Sequence, residues 1–293
     1  MRMNKKYQLI TDASADLIPE FVQEQEIYVI PMNYTLDSQE MVCLGVDSVE
    51  TLKWYYDGER EGKMTSTSQV TPQVYVDFFR KFAEKGESLI YLSLSGGLSG
   101  TYNSSQLAAN ELMEEFPGVE ICCVDSRSTT GGIQMLLECA AKNREDGMSV
   151  KENAAWLEEN RLRLCHWFMV EDLMFLKRGG RISGAAAVVG TALNIRPILR
   201  IENDGTLVNF LKKRGNKAAL NQLVELYDNA SEKPEGERIC IVHSDNEEAA
   251  DYLEQEVKRL NPSCITNRVM LSPIIGSHTG PGMAAIVHFG KRV

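Results

Sequence analysis

The sequence of 293 residues has no apolar run long enough to cross a membrane. Its first segment, MRMNKKYQLI, is positively charged, but the apolar residues end at Thr11 and Asp12, too soon for a secretory signal. The formal net charge of −10 excludes the broad basic surface that a nucleic acid or an anionic membrane requires. We therefore expect a cytoplasmic protein whose partner is a small molecule or another protein.

The cysteines do not form the pattern of a secreted disulfide framework. There are seven of them, an odd number, scattered through the chain. Cys122 and Cys123 are adjacent and lack the CxxC spacing of redox or zinc sites. We interpret them as core thiols in a reducing compartment, and we expect no metal and no cofactor.

Apolar segments alternate with helical patterns in the first half of the chain, which is typical of a parallel sheet with crossover helices. The predicted strands are 7–12, 27–34, 88–94 and 119–125, and the predicted helices are 70–86, 101–116 and 129–147. A helix at 149–164 follows, and then strands at 196–202, 206–213 and 237–245 with helices at 217–227 and 246–260. We predict an α/β protein with a Rossmann-like parallel-sheet domain at 1–160. A second α/β domain with a largely antiparallel or mixed sheet is predicted at 161–293.

One predicted strand ends in the polar turn SLSGGLSGT, residues 93–101, before a helix begins. Free backbone N–H groups and hydroxyls at a helix N-terminus favour an anion. The lysine of a nucleotide-binding loop is absent, and Gly97-x-x-Gly100 is too weak for a dinucleotide fingerprint. An ordinary turn in which Ser99 caps the helix remains an alternative.

A second polar segment, MTSTSQVTP at residues 64–72, carries hydroxyls and a glutamine ahead of a predicted helix. If both segments meet at the carboxyl edge of one parallel sheet, they form a pocket rich in donors and poor in charge. Such a pocket suits one buried carboxylate. Taken alone, the segment also fits a solvated loop.

Two further motifs carry candidate residues. LKRGGRISG, residues 176–184, places Arg181 beside a Gly-Gly turn, before the small apolar segment 185–195. That segment fits either a wall for a long chain or a plain buried helix. GSHTGPG places His278 on a predicted loop between glycines, whereas the other three histidines fall in strand patterns.

Enzyme classes are less well supported. A hydrolase would pair Ser95 or Ser99 with His278, but the sequence has no Gly-x-Ser-x-Gly elbow. A kinase would need a nucleotide loop and metal-binding carboxylates, and neither is evident. A stand-alone hydrolase acting on a lipid-like ester, and an interaction role with an unused pocket, remain open alternatives.

Eight motifs together resemble one family. They are TDASADL, TSTSQVTPQVY, LSLSGGLSGTYNSS, VDSRSTTGG, LKRGGRIS, LNIRPIL, DGTL and HTGPG, in this order along nearly the whole chain. The set resembles the DegV family of bacterial fatty-acid-binding proteins. The resemblance implies a two-domain α/β protein that binds one long-chain fatty acid. In Gram-positive bacteria it also implies presentation of that acid to a separate fatty acid kinase, which forms the acyl-phosphate.

The resemblance also implies site residues. Thr67 and Ser95 would hold the carboxylate, and Ser66 and the N–H of Gly96 would complete the ligand-binding set. Gly96 stands where the family usually has a second serine, so its backbone would replace a hydroxyl. Ala285 replaces a common glycine and would narrow the tail tunnel.

Arg181 and His278 correspond to family positions tied to phosphate transfer or kinase docking. Each buried methylene contributes roughly 0.8 kcal/mol, so a tail of about 16 carbons, as in palmitate, would gain about 12 kcal/mol before ordering costs. The tail would then supply affinity, and the polar groups would fix its orientation.

Overall fold

The computed structural model describes residues 7–183 and 194–292. The strands are β1 (Tyr7–Asp12), β2 (Ile27–Ile30), β3 (Met32–Leu36), β4 (Gln39–Cys43), β5 (Thr65–Thr67), β6 (Ser88–Ser93), β7 (Ile121–Asp125), β8 (Leu164–Met169), β9 (Ile195–Ile201), β10 (Leu207–Arg214), β11 (Arg238–His243), β12 (Ile265–Met270) and β13 (Ala284–Phe289). The helices are α1 (Pro19–Gln25), α2 (Val49–Arg60), α3 (Pro72–Ala83), α4 (Thr101–Glu115), α5 (Gly131–Glu145), α6 (Val150–Asn160), α7 (Leu173–Arg178), α8 (Asn216–Ala230), α9 (Glu247–Leu260) and α10 (Pro273–Thr279).

The first large sheet is parallel throughout and has the strand order β2-β1-β6-β7. Its central strands β1 and β6 are buried along almost their whole length, because α3, α5 and α6 pack against them. The predicted Rossmann-like parallel sheet is confirmed. Its carboxyl edge carries the turn that begins at Ser95.

The second large sheet is mixed, with the order β10-β9-β8-β13-β11-β12. β11 and β12 pair in parallel, and the other neighbours are antiparallel. Side chains alternate between its faces. Cys165, Trp167 and Met169 pack against α8 and α9, whereas His166 and Phe168 face the parallel-sheet side. The predicted mixed sheet is confirmed, and the division between residues 160 and 161 stays a prediction.

A third, small antiparallel sheet was not predicted. Its order is β4-β3-β5, and it contains part of the segment that we had expected to be one strand at 27–34. That single-strand prediction is wrong, because the segment splits at Pro31 into β2 and β3, which belong to different sheets. Proline lacks the N–H that a continuous central strand would donate. The split lets β5 lie beside β3.

The turn between β9 and β10 contacts the turn that follows β6 of the parallel sheet. Gly205 in this turn lies directly against Gly97, and a side chain on either glycine would overlap its surroundings. Arg292 donates to the backbone carbonyls of Leu164, Glu202 and Arg127, and so connects the same two parts of the chain. These contacts fix the separation between the two large sheets.

Candidate ligand-binding site

A cavity lies between the two large sheets. It contains about 790 Å³ of space free of protein atoms, including the part that is open to solvent. The apolar residues that line it are Met32, Leu94, Leu98, Phe168, Leu176, Ile201, Leu207, Ile274, Ile275, Met283, Ala285 and Val287. A cavity lined largely by apolar side chains suits a chain of methylene groups.

Strand alternation builds one wall of the cavity. Phe168 and His166 on β8 lie opposite Ala285 and Val287 on β13, and all four residues line the cavity. Partners in an antiparallel pair point to the same face, so the register of these two strands sets the shape of the wall. Ala285, which replaces the family's usual glycine, therefore places a methyl group in the cavity lining.

Thr67 and His278 meet at one part of the cavity. The Oγ1 atom of Thr67 lies 2.9 Å from Nε2 of His278, and both residues line the cavity. Thr67 is the last residue of β5, where it pairs with Tyr34. The expectation that His278 lies on a loop is wrong, because Pro273 begins the short helix α10 and Gly280 ends it. The helix fixes the imidazole more firmly than a glycine-rich loop would.

His278 is neutral at physiological pH. Burial, and secondarily the charge of Arg181, lowers the pKa of its imidazole to about 4. Its Nδ1 atom is shielded from solvent and has no hydrogen-bond partner among the described residues. The α-carbon of Gly179 lies so close to this ring that a β-carbon there would overlap Nδ1. Glycine at position 179 is thus required by the position of His278.

Arg181 is partly buried and lines the cavity. Its Nε donates to the carbonyl of Leu98 at 3.0 Å, and another guanidinium nitrogen donates to the carbonyl of Gly179. No carboxylate in the described ranges pairs with it. Arg181 also lines an outer groove together with Gly97 and Asn209, so its guanidinium lies between the cavity and the surface. The guanidinium can therefore interact with a negative charge inside the cavity or in the outer groove.

The remaining predicted ligands have partners within the protein. The Ser95 hydroxyl donates to the Gly205 carbonyl at 2.8 Å, and the Gly96 N–H donates to the Asp125 carboxylate at 2.9 Å. The Ser66 hydroxyl is exposed and lies 2.7 Å from that of Thr35. These three residues are not among those that line the cavity.

The two polar segments do converge, but not as expected. Thr67 lies in the small antiparallel sheet, so the expectation that both segments follow strands of one parallel sheet is wrong. Ser68 and Gln69 line the cavity, and so does Ser99 from the other segment. The Gln69 amide donates to Ser104 at 3.4 Å, in the helix α4 that follows the other segment. Ser99 accepts the Thr101 N–H at 3.3 Å, but the N-cap of α4 is Gly100 and no side chain caps the helix, so the alternative in which Ser99 caps it is wrong.

Three further polar residues in the lining were missed. Thr129 and Thr130 follow β7 at the carboxyl edge of the parallel sheet, and His166 lies on β8. The position of the two threonines after a buried strand was the available signal. For His166 the signal was weaker, because its alternation with Phe168 along β8 is equally typical of a residue in the hydrophobic core. The segment 185–195 lies outside the described residues except for its last two positions.

The Ser/His hydrolase has no supporting geometry in the described ranges. Ser95 bonds to Gly205, Ser99 lies 2.7 Å from the Thr101 hydroxyl, and His278 bonds to Thr67. Ser128 and His166 do form a pair at 2.9 Å, but no carboxylate bonds to the other ring nitrogen, Nδ1. The third member that orients a catalytic histidine is missing from that pair.

Two kinds of feature are absent from the described part of the chain. Within it, no helix is both long and apolar enough to span a membrane. In the same ranges, no cluster of three or more His, Cys, Asp or Glu side chains is arranged to hold a metal ion.

Comparison with known proteins gives one consistent result. The family model described as "Uncharacterised protein, DegV family" matches residues 6–291. A DegV domain-containing protein of Clostridium perfringens is 38% identical over 286 residues, which cover 98% of each chain. A DegV family protein from Thermus thermophilus, described by its fatty acid binding, is 30% identical with a TM-score of 0.86, covering 98% of this chain and 100% of that one.

A DegV lipid-binding protein from Thermotoga maritima is 27% identical with a TM-score of 0.82, over 98% of this chain and 100% of its own. Sequence and fold therefore agree over nearly the whole length. The chain belongs to the DegV family.

Proposed function

We propose that the protein binds one long-chain fatty acid, with its hydrocarbon chain in the cavity and its carboxylate beside Thr67. The main observation in support is the cavity itself. Its lining is largely apolar, and it is polar in the part where Thr67, His278 and Arg181 meet. The relatives from Thermus thermophilus and Thermotoga maritima, described as binding fatty acid or lipid, support this proposal.

The pair of Thr67 and His278 provides a donor for the carboxylate. In the tautomer with hydrogen on Nε2, His278 donates to the Thr67 oxygen, which leaves the Thr67 hydroxyl hydrogen free for the ligand. A buried carboxylate without such donors would cost several kcal/mol. The pair therefore fixes the head group, while the apolar walls supply affinity.

Ser95, Gly96 and Ser66 remain proposed ligands on the strength of the family resemblance. Ser95 and Gly96 are bonded to Gly205 and Asp125. Each would reach a carboxylate only after exchanging that bond. Thr67 needs no such rearrangement, so we assign it the main contact.

We further propose that the bound carboxylate is presented to a separate fatty acid kinase. Arg181 lies between the cavity and an outer groove and has no carboxylate partner in the described ranges. A cation in this position would stabilise the charge that develops on a transferred phosphate. The kinase itself is implied by the family resemblance.

The direct test of binding is mass spectrometry of an organic extract from protein purified under mild conditions. We expect a long-chain fatty acid in a ratio of about one per chain. Extracts without a lipid, from a protein that also fails to bind added palmitate, would refute the proposed function.

Arg181→Ala tests the proposal for presentation. We expect its affinity for palmitate to stay within about threefold of wild type, because Thr67 and the walls remain. Acyl-phosphate formation by an added bacterial fatty acid kinase should fall at least tenfold. Lys177→Ala, which changes a neighbouring exposed cation at the end of α7, is the matched control. Equal rates for wild type and Arg181→Ala would contradict the proposal.

A further inference from the structure

The cavity lining contains a second group of polar side chains, and one of them has no partner within the described residues. Thr129, Thr130 and His166 all line the cavity. Oγ1 of Thr129 is shielded from solvent and has no hydrogen-bond partner among the described residues. Thr130 faces the Asp16 carboxyl, and the His166 ring lies near the backbone carbonyls of Thr129 and Leu164, although neither contact reaches ordinary hydrogen-bond geometry at Oγ1 of Thr130 or Nδ1 of His166. His166 and Thr130 are 4% and 2% exposed. Buried polar groups are almost always paired, so the unpaired Thr129 hydroxyl beside two poorly paired groups in one cavity indicates a missing partner.

This group lies further along the cavity wall than the head-group site. The chain from Met283 to Val287 starts beside α10, which carries His278, and runs along β13 to the position opposite His166. Four residues of extended strand span about 13 Å. Ala285 and Phe168 line the wall between the two polar places. A ligand held at Thr67 would therefore reach His166 with the middle of its chain.

The chemistry of the group excludes a second charged part of the ligand. Nε2 of His166 is 2.9 Å from the Ser128 hydroxyl, so only Nδ1 remains available. Burial, and secondarily the charge of Arg292, lowers the pKa of His166 to about 3, so its imidazole is neutral. A neutral imidazole and two hydroxyls offer donors and acceptors without net charge. Their natural partner is a hydroxyl or a carbonyl oxygen.

We propose that Thr129, Thr130 and His166 recognise a hydroxyl or carbonyl group in the middle of the ligand chain, so that the preferred ligand is an oxygenated long-chain fatty acid. This inference rests on the proposed function, which places the carboxylate at Thr67. A plain hydrocarbon chain would cover the three polar atoms without bonding to them. An oxygenated chain would bond to at least one of them and would be preferred for that reason.

The test compares affinities for stearic acid and for a series of hydroxystearic acids whose hydroxyl moves along the middle of the chain. In the wild-type protein we expect one isomer to bind about tenfold more tightly than stearic acid. Thr129→Val keeps the side-chain shape and removes the hydroxyl, so the preference should fall several-fold while stearic acid binds at least as well. Thr129→Ser restores a hydroxyl and should restore the preference.

The matched control is Thr266→Val, on β12 outside the cavity lining, which should leave the preference unchanged. The inference is overturned if stearic acid binds as tightly as every hydroxystearic acid, because water would then satisfy the polar group. It is also overturned if Thr129→Val keeps the full preference. Failure to bind any of these acids would refute the proposed function itself, which makes the two failures distinguishable.

Discussion

Thr67 carries the most specific part of the proposed site. Its hydroxyl is held by a neutral histidine rather than by a charged side chain, so Thr67 offers the ligand a directed hydrogen bond and not an ion pair. A carboxylate bound in this way keeps more of its nucleophilic character than one paired with an arginine. This property fits a ligand that is to be handed on for reaction.

Thr67→Val should weaken palmitate binding about tenfold, because one hydrogen bond to a charged group is worth about 1.5–3 kcal/mol and part of it is recovered by water. Isothermal titration measures the change. Thr35→Val, the same substitution on the neighbouring strand β3, is the matched control, since the Thr35 hydroxyl lies outside the cavity lining. Equal losses in both variants would show that the small sheet, and not the Thr67 hydroxyl, determines affinity.

Gly179 determines where His278 lies. Its backbone is helical, so alanine is conformationally acceptable there, but the added carbon would overlap Nδ1 of His278. We therefore expect Gly179→Ala to displace the imidazole and to lower palmitate affinity by about tenfold or more. Gly180→Ala is the control, because φ is 72° there and the added carbon strains the backbone without touching the imidazole. The prediction fails if Gly179→Ala binds palmitate like wild type, or if Gly180→Ala loses as much affinity.

At the scale of elements, the hairpin formed by β9 and β10 is what closes the site. Its turn accepts the Ser95 hydroxyl through the Gly205 carbonyl, and it presses Gly205 against Gly97. Ile201 and Leu207, which flank the turn, both line the cavity. The polar turn after β6 thus has a structural contact besides its proposed role with the ligand.

Ser95→Ala separates these two roles. A purely structural role predicts a loss of about 1 kcal/mol in the free energy of unfolding, from one hydrogen bond, with palmitate affinity nearly unchanged. A role as a carboxylate ligand predicts at least a fivefold loss of affinity. From the geometry we expect the first result, measured by urea denaturation and titration in parallel. A loss of affinity without a loss of stability would assign the carboxylate to Ser95.

The sequence predicted the elements that depend on local pattern. Apolar runs identified β1, β6 and β7, and α3 begins at Pro72, two residues inside the predicted helix 70–86. The split at Pro31 was missed because the apolar pattern continues through it while the pairing partner changes. α10 was missed because glycine-rich sequence suggested a loop around His278.

The site was predictable only in part. Thr67, Arg181 and His278 came from motifs, and they line one cavity. Thr129 and His166 could not be predicted to meet, because they belong to different sheets and their proximity depends on how those sheets pack. Contacts between side chains that only the packing of two sheets brings together leave little trace in the local sequence.

At the scale of the whole molecule, a buried carboxyl group makes stability depend on pH. Burial raises the pKa of Asp16 to about 7, although its Oδ1 accepts the Ser272 N–H at 3.0 Å. The folded protein therefore holds this proton up to about pH 7, whereas the unfolded chain releases it near the ordinary value of 3.8. The contribution of Asp16 to stability is present at low pH and is lost as the pH rises through 7.

Asp16→Asn should remove that dependence. Asparagine keeps the acceptor oxygen and tolerates the left-handed backbone at this position, where φ is 49°. Between pH 5 and 7, we expect the unfolding free energy of wild type, relative to the variant, to fall by up to about 1.4 kcal/mol per pH unit. Denaturation at several pH values measures this difference, in which the contributions of the histidines cancel. Parallel profiles would contradict the assignment.

The central claim is that the space between the two large sheets is the binding site of a fatty acid. The most direct measurement is a crystal structure of the protein with palmitate. We predict a carboxylate oxygen within hydrogen-bond distance of the Thr67 hydroxyl, and a hydrocarbon chain that runs between β13 and α10 past Phe168. Palmitate bound elsewhere, with this cavity empty or filled by water, would contradict the account.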